Sequence, residues 1–377
     1  MFKNLLLLLL LSAPTIAALA QRPAATYLFA GTYTDGKPDK GIYIYRFNAK
    51  TGKLKKTGTT SNITNPSYLD ISPNGQFVYS CTDTRMSTKG SVSAFRVDSL
   101  RGKLSFINKQ SAGAANPVYL SVHKSNKFIV SGSYTEASVT VFTANDDGSL
   151  NPYTQLLAFS DSSIIKGRQD EAHVHSAVFS PANDYLYLPD LGADKIRIFQ
   201  FDASQAEPLV HREDHKNVPG SGPRHFTFHP NLPFAYCIEE LSGMVSAYAY
   251  NNGGLQPIQR IFSHSQPYSS YSGADIHISP DGLFLYASNR GDENRIAIFS
   301  IDQDKGTLSL VGYQSTYGNH PRNFTLDPSG QFLLVANQYS NNIVVFKRDG
   351  KTGLLNRVGR DVKIPSPSCL KMRSYER

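Results

Sequence analysis

The sequence predicts an all-β fold, a single seven-bladed β-propeller of four-stranded antiparallel blades whose ring is closed by joining its N- and C-terminal segments. Three observations predict it. Short alternating runs of Tyr, Phe, Val and Ile, punctuated by Gly, Asn, Asp and Pro, fill the 377 residues, and helix signals are nearly absent. One unit returns about every fifty residues, the length of a propeller blade. A last copy of that unit is split between the two ends of the chain.

The unit opens with a strand, a tight turn near Pro-x-Gly, and a second strand. It reads NPSYLDISPNGQFVYSCT from Asn65 and returns from Asn116 (NPVYLSVHKSNKFIVSGS) and His173 (HVHSAVFSPANDYLYLPD). Further copies begin at Gly222 (GPRHFTFHPNLPFAYCIE), Ser272 (SGADIHISPDGLFLYASN) and His320 (HPRNFTLDPSGQFLLVAN). A third strand follows each, as in GSVSAFRV, NRIAIFSI and NNIVVFKR, and a fourth comes after a Gly-Leu or Gly-x-Leu turn, as in GKLSFINKQ and GTLSLVGYQ. In the split copy, TYLFAGTY and GIYIYRFNAKTGKLKKTGTTS supply the outer strands and SPSCLKMRS the first. Pairing them closes the ring and covers both terminal edges.

Ahead of the repeats, Lys3, the apolar run Leu5 to Leu11 and Ala18-Leu19-Ala20 read as a secretory signal peptide over 1–20, with Pro14 interrupting the apolar run. The propeller domain is expected over 24–377, in a chain that is exported, periplasmic or secreted, with no stable membrane insertion after cleavage. No cysteine follows the cleavage site, so no lipid anchor is expected. Cys81, Cys237 and Cys369 lie far apart in apolar strands and read as small buried hydrophobes. The net charge of +8 is scattered rather than gathered in a stripe. Nucleic acid is therefore not an expected partner, and an anionic small molecule is. The oligomeric state is left open.

The first strand of each blade lines the channel of a propeller. Six positions before the turn stand Ser67, Val118, His175, Arg224, Ala274 and Arg322, with Ser368 in the split copy, and the next position adds His225, Asp275 and Asn323. Nine or ten positions after the turn stand Asp83, Tyr134, Asp190, Glu239 with Glu240, Asn289 with Arg290, and Asn337 with Gln338. If the two strands pair antiparallel, both sets meet at one mouth of the channel. His173 and His175 form an H-x-H pair, but no Cys or carboxylate completes a ligand spacing, so neither metal nor cofactor is expected. His277 alternates on its strand like His225, and His229 reads as a turn residue. No nucleophile elbow and no phosphate-cradling Gly loop is present.

At these residues the chain resembles the seven-bladed propeller lactonase family, which takes in propeller-type 6-phosphogluconolactonases and carboxy-cis,cis-muconate cyclases. The resemblance runs from about Tyr27 to the C-terminus and is carried by HVHSAVFSP, GPRHFTFHPNLPFAYCIEEL, ADIHISPDGLFLYASNR and HPRNFTLDPSGQFLLVANQ. It implies a catalytic set of His175, Arg224, Glu240 and Arg290, with Glu239 as a substitute for Glu240. The expected activity is hydrolysis of a sugar lactone. Glu240 or His175 would be the general base and Arg224 and Arg290 the anion binders. His225, Glu239, Asp190, Asp275, His277, Asn289, Arg322 and Gln338 would hold the substrate. The same groups suit a muconate-type cycloisomerase, and a non-catalytic periplasmic binding propeller is the third reading. An export signal departs from the cytoplasmic place of phosphogluconolactone hydrolysis.

Overall fold

The computed structural model describes residues 25–376; the signal-peptide segment, 1–20, lies outside them. Twenty-eight strands form seven four-stranded antiparallel sheets, and no helix occurs among the described residues. Six blades follow the chain in order, over 68–111, 117–158, 178–216, 223–262, 273–315 and 321–363. The seventh runs Pro367–Tyr375, Ala25–Thr32, Ile42–Phe47, Leu54–Thr59. Its inner strand comes from the C-terminal segment and its outer three from the N-terminal one, pairing Ala25 with Tyr375 and Gly31 with Cys369. The split repeat thus closes the ring as expected.

Each blade places its first strand at the axis. The second strand is buried on both faces and reads as a continuous apolar run, such as Phe77–Thr82 and Phe332–Asn337. The outer strands alternate or face solvent, as in Lys103–Ser111. Neighbouring blades pack face to face. One repeated contact fixes their spacing: Tyr79, Tyr187, Tyr236 and Tyr286, all on second strands, donate to the carbonyls of Gly148, Gly253, Gly306 and Gly353 in the next blade, at 2.6–3.2 Å. Gly306 has φ +69°, and a Cβ there would stand 2.4 Å from the Phe234 ring, so the turn needs glycine. Cys81, Cys237 and Cys369 are free and buried.

The third blade departs from the repeat. Its inner strand is only Val178–Phe179, and the chain through His173–Ser176 is held instead by single contacts. Val174 bridges Asp190, the His175 N–H donates to Pro189 O at 3.0 Å, and the His173 N–H to Asp190 Oδ1 at 2.7 Å. The irregularity follows a long connection, 159–172, which lays Arg168 across the channel mouth.

Candidate active site at the channel mouth

Seven equivalent backbone hydrogen bonds build the mouth. The residue ten positions beyond the turn donates its N–H to the start of its blade's inner strand. The donors are Tyr33, Asp83, Tyr134, Leu191, Glu240, Arg290 and Gln338, and the distances 2.7–3.0 Å. Three of the ten-position side chains, those of Tyr134, Glu240 and Arg290, reach the mouth, where they meet side chains of the inner strands. The result is a cavity of about 220 Å³ lined by Arg85, Asn116, Val118, Tyr134, His175, Glu240, Arg290 and Arg322.

Glu240 is the centre of charge. Its Oε2 accepts Arg224 Nε at 2.8 Å and Arg290 Nη2 at 2.9 Å, and its Oε1 accepts Arg168 Nη2 at 2.6 Å. Burial opposes its ionisation, but Arg290, Arg224 and Arg168 together outweigh burial and hold the carboxyl far below its ordinary range. Arg224 is almost wholly buried and also donates to Ala274 O. Burial, then the like charge of Arg290, pulls its pKa down to about 9. Arg290 donates to Ser272 O and Gly273 O as well, at 3.3 and 3.0 Å.

His175 faces this cation cluster. Burial, then Arg224, His225 and Arg322, hold its pKa well below the usual histidine value, so it is neutral at pH 7. Its Nδ1 is buried without a hydrogen-bond partner among the described residues. Tyr134 packs its edge on the ring at 5.4 Å and stacks flat on His173 at 4.2 Å. His173 is thereby occupied, its Nδ1 bonded to Tyr134 O at 2.9 Å. Below His175 a narrow pit is lined by Arg224, His225, Arg322, Ser67 and Ser368.

A second layer lies under the pit. Asp275 receives His225 Nδ1 at 2.7 Å, His277 Nε2 at 3.0 Å and Asn323 Nδ2 at 2.5 Å, with the backbone N–H groups of Ile276 and Phe324 at 3.1 Å. Five donors keep the carboxylate ionised against its burial. Burial, then Arg224, draws the His225 pKa down to about 3 despite Asp275, leaving a neutral imidazole.

The four residues of the expected catalytic set therefore meet at one mouth, with Arg322 beside them and His225 in the pit beneath. Six others stand elsewhere. Asp190, Glu239 and Asn289 sit nine positions past the turn, not ten, and side chains alternate along a strand, so all three point away from the axis. Asp190 pairs with Arg197 at 2.8 Å, Glu239 with Arg260, Ser242 and Ser246, and Asn289 with Ser263. Glu239 is therefore no substitute for Glu240. His277 opens onto the opposite end of the channel, in a cavity of about 280 Å³ beside the turn residues Pro230 and His229. Asp275 is enclosed between the two ends. Gln338 is at the right register but lines no part of the mouth cavity, and its Nε2 reaches Ser366 Oγ at 3.4 Å. His229 is the turn residue it was read as: its Nδ1 accepts the N–H groups of Asn231 and Leu232. A larger groove, about 520 Å³ between 59–64 and 82–109, holds only the Asp83–Lys109 pair.

Sequence reading missed Arg85, Arg168 and Tyr33. The two arginines lie in loops outside the repeat register. Tyr33 is the ten-position residue of the split blade, where no turn proline marks the alignment.

The chain belongs to a family of seven-bladed propellers: the model described as "Lactonase, 7-bladed beta-propeller" matches residues 27–372. Among relatives, a 6-phosphogluconolactonase of Formosa agariphila is 47% identical over 351 residues, covering 92% of this chain and 99% of the relative. The 6-phosphogluconolactonase of Bacillus subtilis is 34% identical, covering 91% and 97%. The solved periplasmic gluconolactonase of Pseudomonas aeruginosa superposes with a TM-score of 0.86 at 35% identity, covering 92% and 99%.

Proposed function

We propose that the chain hydrolyses a sugar lactone, with His175 as general base and Arg290 as the principal stabiliser of the carbonyl oxygen. The observation that carries the reading is a neutral, buried imidazole with an unpartnered ring nitrogen at a cavity whose charge is dominated by arginines. Lactonase relatives across the full propeller support the substrate class.

The chemistry needs a base that is unprotonated before attack. The arginines around His175 ensure this, since an imidazolium there is repelled. Water gives its proton to His175 and its oxygen to the lactone carbon. The carbonyl π electrons move to oxygen, where Arg290 meets the growing charge. The tetrahedral centre collapses, the bond to the ring oxygen breaks, and that oxygen takes the proton from His175 as the hydroxyl of the product. The new carboxylic acid then ionises to a carboxylate. Glu240 does not serve as base in this scheme: three guanidinium groups hold its lone pairs, and its low pKa makes it a poor proton acceptor. Its part is to gather Arg224, Arg290 and Arg168 into one rigid array.

Export to the periplasm or medium belongs to the same proposal, supported by the leader-like 1–20 and the periplasmic gluconolactonase relative. The test is pH-stat titration of purified protein with glucono-δ-lactone and 6-phosphogluconolactone against the spontaneous reaction. Turnover lowered by about 10²–10⁴-fold in His175→Asn is the expected result. A wild type that accelerates neither lactone overturns the proposal. The mass of the mature N-terminus tests export.

A further inference from the structure

Three of the seams between blades are closed by the same device. A side-chain amide on the outer strand of one blade clamps the backbone of a leucine just past the last turn of the next: Asn108 on Leu150, Gln155 on Leu209 and Gln259 on Leu308. Each amide donates to the leucine carbonyl and accepts the leucine N–H, at 2.6–3.0 Å. The three amides occupy one register position, opposite Ala94, Val141 and Ala247 of their third strands. In the seventh blade that position, opposite Ile44, is Gly58. The equivalent leucine of the first blade, Leu104, therefore has no amide clamp among the described residues. Thr57 reaches across instead, to Gly102 O at 2.8 Å. Gly312 holds the same position in the fifth blade, but there Leu354 of the sixth stands over it, 4.0 Å from where a Cβ would be.

The unclamped seam between the seventh and first blades opens into the groove of about 520 Å³. Ile63, Phe95 and Leu104 supply its apolar lining. Phe106 stands beside them 62% exposed, held edge-on by Phe95 with ring centroids 5.8 Å apart. Thr59, Ser61, Asn62 and Thr64 line the seventh-blade wall, and their side chains make no hydrogen bond among the described residues. The charged lining residues are Asp83 and Lys109, which pair at 2.9 Å and cancel. The groove shares no lining residue with the mouth cavity.

A neutral groove in a chain of net charge +8 does not select an ion. Hydroxyl and carboxamide side chains both donate and accept, so they match a ligand whose uncharged polar groups also do both. The exposed ring of Phe106 matches an apolar face on the same ligand. A pyranose ring has both features: C–H bonds on its faces and hydroxyls around its edge. The volume lies within the range of small-molecule sites, about 300–1,000 Å³.

We propose that this seam is a second binding site, for a neutral oligosaccharide, with Phe106 under one sugar ring and Thr59, Ser61, Asn62 and Thr64 as its hydrogen-bonding wall. The site is independent of the lactonase reading, since it uses no group at the mouth. Its effect is to hold the propeller on a glycan while the mouth stays free.

The test is calorimetry of the purified protein with maltotriose, cellotriose, laminaritriose and triacetylchitotriose. At least one is expected to bind with a Kd on the order of 10⁻⁴–10⁻³ M, as suits a groove with one aromatic platform. Phe106→Ala weakens that binding about tenfold or more. Asn62→Ala weakens it about threefold to tenfold. Gly58→Gln, whose Cβ meets Gly102 O at 3.3 Å, supplies the missing amide over Leu104 and weakens binding as Phe106→Ala does. All three variants keep the wild-type rate on glucono-δ-lactone within about twofold. Binding with these dependences by a protein that hydrolyses no lactone keeps the site and removes only the lactonase reading. No binding of any of the four sugars, or binding unaltered by Phe106→Ala and Gly58→Gln, overturns the proposal. So does binding lost in Arg322→Gln instead, which places the sugar at the mouth.

Discussion

Replacing Glu240 with Gln separates two roles that a carboxylate at this mouth can play. The amide keeps the shape and one acceptor oxygen, but turns an NH2 toward a guanidinium and deletes the charge that Arg224, Arg290 and Arg168 share. The half-exposed Arg168 contributes little, about 0.5 kcal/mol. The pairs with Arg224 and Arg290 are buried, and removing one side of a buried ion pair costs about 3–5 kcal/mol. With an unfolding entropy near 2.1 cal/mol/K per residue, a domain of about 350 residues loses roughly 1.4 °C per kcal/mol, so Tm falls by about 4–7 °C. Inorganic phosphate, seated among the freed arginines, restores about 2.7 kcal/mol at a hundred times its Kd. Differential scanning calorimetry with and without phosphate, at constant ionic strength, measures both quantities. A variant with wild-type Tm, no response to phosphate, and loss of the acid limb of the pH–rate profile would refute the reasoning and make Glu240 the base.

The remaining predictions concern the base, acid stability and ring closure. His175→Asn is expected to lower kcat by about 10²–10⁴-fold with its circular dichroism unchanged, and wild-type kcat/KM to hold its value as pH falls through 6.5, because the folded His175 protonates only below that. Unfolded His225 takes up its proton near 6.5 and the folded side chain only near 3, so stability is full above 6.5 and declines as pH drops toward 3. That group alone contributes about 2 kcal/mol of loss by pH 5, read from urea unfolding at both pH values. Truncation after Ile364 removes the inner strand of the seventh blade and uncovers the buried Cys369 and Leu370 contacts; the product is expected to be unfolded or aggregated by size-exclusion chromatography, and a soluble, cooperatively melting product would refute the closure energetics.

The fold was legible because a propeller writes its period into the chain: the turn at Pro73 and its equivalents fixed the blades, and SPSCLKMRS betrayed the split one. The site was legible where register alone sets direction, as for His175, Arg224, Glu240 and Arg290. It misled by one residue at Asp190, Glu239 and Asn289, since antiparallel pairing places nine and ten at the same mouth while the pleat sends them opposite ways. His277 was misplaced for a similar reason, lying two residues past Asp275 and so toward the other end of the channel. Arg85 and Arg168 were illegible because loop length, not register, brings them to the axis. Tyr33 had a readable signal: aligning AGTY in the split blade with SCTD in the first puts Tyr33 opposite Asp83.

The closure of the ring has a consequence for how the molecule is made. The strand Pro367–Tyr375 leaves the ribosome after the other six blades, yet it pairs with Ala25–Thr32, so the seventh blade joins segments more than three hundred residues apart in sequence. Until that pairing forms, the three N-terminal strands of the seventh blade, which pack on the first blade, lack their inner neighbour. Six finished blades in an open arc are therefore the species most exposed to proteolysis and self-association, and docking of the last strand is the slow, high-contact-order event. The two ends lie side by side, with Thr26 Oγ1 and Ser374 Oγ 2.8 Å apart. A short linker between them, with the chain reopened in a loop between two other blades, gives a circular permutant with the same ring and a different final blade.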